Sequence, residues 1–170
     1  MIPVAKILVF NLIFLIFACK SVENKDPVPV KSVDSLSYLA LGDSYTIGES
    51  LPPSQRWSKQ LTDLLKKEGK KIANPTIIAQ TGWTTAELAQ AIQTANNNKK
   101  YNMVSLLIGV NNQYREESTD KYRTEFAGLL KTAINFTGGE AKYVFVMSIP
   151  DWGVTPYAEG RDRTKIATEI

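Results

Sequence analysis

The chain reads as an α/β protein, with a parallel β-sheet carrying helices on both faces. Three observations predict this. Short apolar runs alternate with stretches of helical periodicity, in the order β-α-β-α-β-α-β between Leu36 and Ile149. The run Met103–Ile108 is apolar on both faces, as a central parallel strand should be. Three of the runs also stop at glycine or small polar residues, where a strand breaks into a turn. Parallel strands joined through helices take right-handed crossovers, and their C-terminal ends converge on one edge of the sheet.

The first strand is expected at about Leu36–Leu41, and it stops at Gly42-Asp43-Ser44. A loop holding Pro52-Pro53 follows. Trp57, Leu61, Leu64 and Leu65 then fall at helical spacing, and Gly69 after Lys66-Lys67 marks that helix's end. Thr76–Gln80 is the second strand. Thr84-Thr85-Ala86-Glu87 has the spacing of a capping box, with Leu88, Ile92 and Ala95 as the buried stripe and Asn96-Asn97-Asn98 as the stop. After the third strand, Tyr122, Phe126, Leu129, Leu130, Ala133 and Ile134 mark a long helix closed by Gly138-Gly139. Tyr143–Ile149 is the fourth strand. A last helix over Asp162–Ile170 presents Ile166, Ala167 and Ile170 on one face.

The N-terminal 35 residues have a different character. Met1–Lys6 carries one positive charge, and the twelve residues Ile7–Ala18 are apolar apart from Asn11. A membrane span needs about 20 apolar residues, so this length fits the core of a signal peptide. The junction Ile16-Phe17-Ala18-Cys19 resembles a bacterial lipobox, which implies a lipidated Cys19 at the mature N-terminus of a cell-envelope lipoprotein. An ordinary signal peptide or an uncleaved anchor is the alternative. Residues 1–18 are thus expected to be an address, 19–35 a tether and 36–170 a single globular domain.

Composition narrows the function. The 170 residues carry a net charge of +3 with Lys and Arg scattered, so there is no nucleic-acid footprint. One cysteine excludes an internal disulfide. The absence of histidine removes the usual general base and the usual zinc ligands, and no cofactor is expected.

The strand ends hold the chemistry. The first gives Ser44, the second Gln80-Thr81-Gly82, the third Gly109-Val110-Asn111. Acyl transfer needs a nucleophile and hydrogen-bond donors aimed at the oxyanion of the tetrahedral intermediate. Ser44 offers a hydroxyl and its own amide, Gly82 a backbone amide with no side chain in the way, and Asn111 a side-chain amide. Each also has an ordinary explanation, in loop, turn and cap chemistry. Gly42-Asp43-Ser44-Tyr45-Thr46, the glycine at 82 and the Gly-x-Asn at 109–111 resemble the first three signature blocks of the SGNH (GDSL-type) serine hydrolases. The similarity spans about Ser37–Ile170, including Ser148-Ile149-Pro150-Asp151-Trp152-Gly153. It implies the flavodoxin-like three-layer SGNH fold, with Ser44 as nucleophile and with Ser44, Gly82 and Asn111 as oxyanion donors.

The family's last block, Asp-x-x-His, is absent. Ser118-Thr119-Asp120-Lys121 has Ser-x-x-Lys spacing but reads as a helix cap, and Asp151 reads as a loop residue. The final helix stops in mid-pattern, so the expectation is a chain truncated before a fifth strand and the loop carrying the base. The leading reading is a lipid-anchored esterase acting on a lipid, aryl or carbohydrate ester and touching the membrane only through its anchor. A binding protein that kept the pocket and lost the base is the alternative. A nucleotide binder of the same fold is disfavoured, because no glycine-rich phosphate loop follows the first strand. Tyr45, Trp83, Trp152 and Tyr157 are possible pocket liners, although core packing is the commoner role for such residues.

Overall fold

The computed structural model describes residues 35–170. The expected signal peptide, Cys19 and nearly all of the expected tether lie outside the described residues. Four strands form one sheet: β1 (Tyr38–Gly42), β2 (Thr76–Ala79), β3 (Met103–Leu107) and β4 (Val144–Val146). Their order is β2-β1-β3-β4 and all pairs are parallel. Among the helices are α1 (Ser44–Ile47), α2 (Trp57–Lys67), α3 (Thr85–Ala95), α4 (Val110–Tyr114), α5 (Thr119–Phe136) and α6 (Arg163–Glu169).

Alternation along the central strands decides what each helix layer covers. Leu39 and Leu41 of β1 and Val104 and Leu106 of β3 point to one face, where they pack with Leu88 and Ile92 of α3 and Leu129 and Ala133 of α5. Tyr38 and Ala40 point to the other face, beside Trp57, Leu61 and Leu65 of α2. Tyr38 is buried but not unpaired: its hydroxyl meets Ser105 Oγ at 2.8 Å. Burial pushes that phenol up to about 12.

The helix ends follow the sequence signals. Thr84 Oγ1 accepts from the Glu87 amide, and Glu87 returns a 2.7 Å bond from the Thr84 N–H, so the capping box is formed. At the end of α2, Gly69 N–H donates to Lys66 and Lys70 N–H to Leu65, the paired bonds of a Schellman closure. Ser118 caps α5 as expected, its Oγ accepting from the Lys121 amide. Asp151 is a loop residue as expected, accepting from the Gly153 amide at 2.8 Å.

Some expectations need correction. Leu64 is 58% exposed, and Ala95, Ala167 and Ile170 are also exposed, so the buried stripes of α2, α3 and α6 are narrower than their apolar periodicity. Ile166 is the buried residue that anchors α6. The fourth strand covers only Val144–Val146, because β4 pairs on one side alone among the described residues. Phe145 (53% exposed) and Val146 (51%) leave this edge of the sheet apolar and open.

Candidate active site

The strand order places a reversal between β1 and β3. From β1 the chain crosses to β2 through α2 on one face; from β2 it crosses to β3 through α3 on the other. Loops leaving β1 and β3 therefore diverge and open a crevice at their C-terminal ends. Ser44 follows β1 there and Asn111 follows β3, while the loop after β2 brings in Gly82. All three line one cleft of ≈ 630 Å³. These are the residues singled out in the sequence, and the fold brings them together.

Local sterics shape the serine turn. A Cβ on Gly42 would lie 2.2 Å from Thr46 Oγ1 and 2.4 Å from the Leu107 carbonyl oxygen, so only glycine lets α1 fold back over the strand end. Asp43 caps that turn: its Oδ1 accepts from the Tyr45 amide at 3.0 Å. Asp43 is fully buried, and its Oδ2 has no hydrogen-bond partner among the described residues. Burial, only partly offset by the Tyr45 amide, pushes this carboxyl up to about 6. The Tyr45 hydroxyl is raised as well, first by burial and then by the Asp43 charge.

Gly82 sits at φ +84°, a conformation that costs other residues strain. Its N–H has no acceptor among the described residues, so it is free to serve a ligand in the cleft. The Asn111 Nδ2 donates to the Trp83 carbonyl at 2.8 Å, which fixes the amide plane and leaves its second hydrogen available. Arg115 donates to the Gly82 carbonyl at 2.6 Å and to Glu87 Oε1 at 3.3 Å. The Glu87 carboxyl lies below its ordinary range, chiefly through the Thr84 N–H bond.

The far wall is aromatic. Tyr114 and Trp152 meet edge-on with centroids 5.3 Å apart, and Trp152 Nε1 donates to Gln113 Oε1 at 2.8 Å. Trp152 is buried with Val110, Ala158 and Ile166. Tyr45 and Tyr157 also line the cleft, as the sequence suggested, whereas Trp83 packs against the core beneath α3. Glu49, Leu51, Tyr114 and Arg115 were not picked out in advance. For Tyr114 the signal was present, since positions 111 and 114 share one helical face.

An α/β fold with a serine at its switch point and two amide donors around the same cleft defines a class of serine hydrolases. The profile of the GDSL-like lipase/acylhydrolase family matches residues 40–169, so the chain belongs to that family. Among solved structures, it is similar to AlinE4, an SGNH-hydrolase family esterase, at 22% identity and TM-score 0.58; the match covers 80% of this chain and 67% of that one. TesA matches at 20% identity and TM-score 0.58, over 78% of this chain and 73% of that one. The psychrotrophic esterase EstA from Pseudoalteromonas sp., in a structure inhibited by monoethylphosphonate, matches at 20% identity and TM-score 0.57 over 78% and 72%. These likenesses establish the fold. No curated protein matches the sequence.

Proposed function

We propose that the chain hydrolyses carboxylic esters through an acyl-enzyme on Ser44. The observation that carries this is the gathering of Ser44, Gly82 and Asn111 around one cleft at the sheet's switch point. In the first half-reaction, Ser44 Oγ bonds to the ester carbonyl carbon and gives up its proton. The carbonyl oxygen becomes an oxyanion that the Gly82 N–H and the free Asn111 amide hydrogen stabilise. Collapse expels the alcohol, which takes a proton, and water then releases the acid by the same path in reverse. A serine hydroxyl needs a base for the first step. The 170 residues contain no histidine. We therefore assign the base to a segment outside them, carrying the Asp-x-x-His block of the family.

The test compares residues 1–170 with a chain extended to include such a segment, on a short-chain nitrophenyl ester. The shorter form should be almost inactive, since loss of triad members leaves only about 10³–10⁴ of rate enhancement over water. In the extended form, Ser44→Ala should abolish labelling by a serine-directed phosphonate. Asn111→Ala should lower kcat by about 10²–10³. Equal turnover by both forms would place the base within residues 1–170. The lack of histidine also favours a second reading, a binding protein that kept the cleft; an extended chain that binds esters without turnover would establish it.

The same proposal includes a lipid anchor at Cys19 and a place in the bacterial cell envelope, on the strength of the short apolar run and the Ile16-Phe17-Ala18-Cys19 junction. Cys19→Ser should release the protein from membranes or block its processing. An intact mass with an unmodified, uncleaved N-terminus would reject this.

A further inference from the structure

The loop that carries Gly82 is short and sits between a strand and a helix. Among the described residues it makes one backbone turn bond of its own, Trp83 N–H to Gln80 O at 3.3 Å. Its geometry is set instead by side chains from elsewhere. Asn111 holds the Trp83 carbonyl at 2.8 Å, and Arg115 holds the Gly82 carbonyl at 2.6 Å. Glu87 binds the next group along, the Thr84 N–H, at 2.7 Å and pairs with Arg115 at 3.3 Å. Three consecutive residues of the loop are thus held by three side chains, two of which come from one helical turn.

Asn111 and Arg115 stand four residues apart, so they lie side by side on one face of α4 and its C-cap. We propose that Arg115 is a positioning residue for the oxyanion donors, clamping the Gly82 loop to α4 so that both donors keep one fixed relation. This rests on the hydrolase reading above for its function, but the clamp itself is a matter of geometry. Holding the Gly82 carbonyl fixes the rotation of the peptide next to the Gly82 N–H, at a residue with φ of +84°; on the other side the Thr81 hydroxyl donates to Glu49. A guanidinium suits the task, because one planar fork can serve the carbonyl and the Glu87 carboxylate together. The Arg115–Glu87 pair is 46% and 43% exposed, so its contribution to global stability is small. A role in positioning and a role in folding therefore separate experimentally.

The experiment uses Arg115→Met and Arg115→Lys. In residues 1–170, hydrogen exchange of the bonded amides of Trp83 and Thr84 should quicken about 10-fold in Arg115→Met, as expected on losing a charge-assisted bond, with the melting temperature unchanged. Arg115→Lys, whose single ammonium can hold the Gly82 carbonyl without the forked contact to Glu87, should restore only part of the protection. In the base-containing chain, Arg115→Met should lower kcat by about 10–10² with KM within about twofold, the size of effect that a misplaced group produces. Wild-type exchange at Trp83 and Thr84 in Arg115→Met, or a rise in KM with kcat intact, would overturn the proposal. If the base-containing wild type shows neither turnover nor phosphonate labelling, the hydrolase reading fails, while the exchange result still decides the clamp.

Discussion

Replacing Asp43 by asparagine should change how stability depends on pH, and the structure gives the size. Asp43 is fully buried, one oxygen accepts from the Tyr45 amide at 3.0 Å, and the other has no partner among the described residues. Its carboxyl therefore holds its proton up to about pH 6 in the folded protein, against the ordinary 3.8 in the unfolded chain. Between those values the folded state binds more protons than the unfolded one, so stability falls as pH rises. The full loss is about 3 kcal/mol, reached above about pH 6. For a chain of this size that corresponds to roughly 6–12 °C in melting temperature. An asparagine side chain in this place cannot ionise but keeps the acceptor for the Tyr45 amide. The assay is urea unfolding of wild type and Asp43→Asn at intervals from pH 4 to pH 8. The difference in stability, variant minus wild type, should rise by about 2 kcal/mol between pH 4 and pH 7 and then stay flat. Taking the difference removes the titration of every other carboxylate. Parallel curves over the whole range would refute the claim that Asp43 is ionised at a cost.

Three further outcomes follow from the packing. Gly42→Ala should destabilise by about 1–3 kcal/mol in denaturant melts, because its Cβ meets the Leu107 carbonyl at 2.4 Å and backbone cannot step aside easily. Thr84→Ala should cost about 1 kcal/mol by the same measurement, through loss of the α3 cap. Phe145→Lys on the open edge strand should lower self-association in light scattering without a loss of stability, since that side chain is already 53% exposed.

The sequence exposed most of the fold because its signals were local. The capping box at Thr84, the glycine stop at Gly69 and the central run at Met103–Ile108 each act within one turn or one strand. Their reading needed no partner. The length of β4 and the buried stripes of α2 and α6 were misjudged for the opposite reason. How far Val144–Ile149 stays a strand depends on what lies along its outer edge, and whether Leu64 is buried depends on what packs against α2. The three site residues were legible because each closes a strand. Arg115 was not, since an arginine at a helix end has a surface role by default, and only the approach of the Gly82 loop from 33 residues away gives it another.

Stability and site share one edge of the sheet. The features that hold the chain together lie on the sheet and its far helix layer: Leu39, Leu41, Val104 and Leu106 against α3 and α5, whose N-termini are closed by the Thr84 and Ser118 caps. The features that cost stability gather at the C-terminal ends of the same strands, beside those caps. They are the half-paired carboxylate of Asp43 and the left-handed Gly82. A sequence selected for stability alone would replace Asp43 by a neutral residue and turn the Gly82 loop through a regular conformation. On the proposed hydrolase reading, the Gly82 N–H and the second Asn111 amide hydrogen, left unpaired in the resting protein, would meet charge developing beside Ser44 without rearranging.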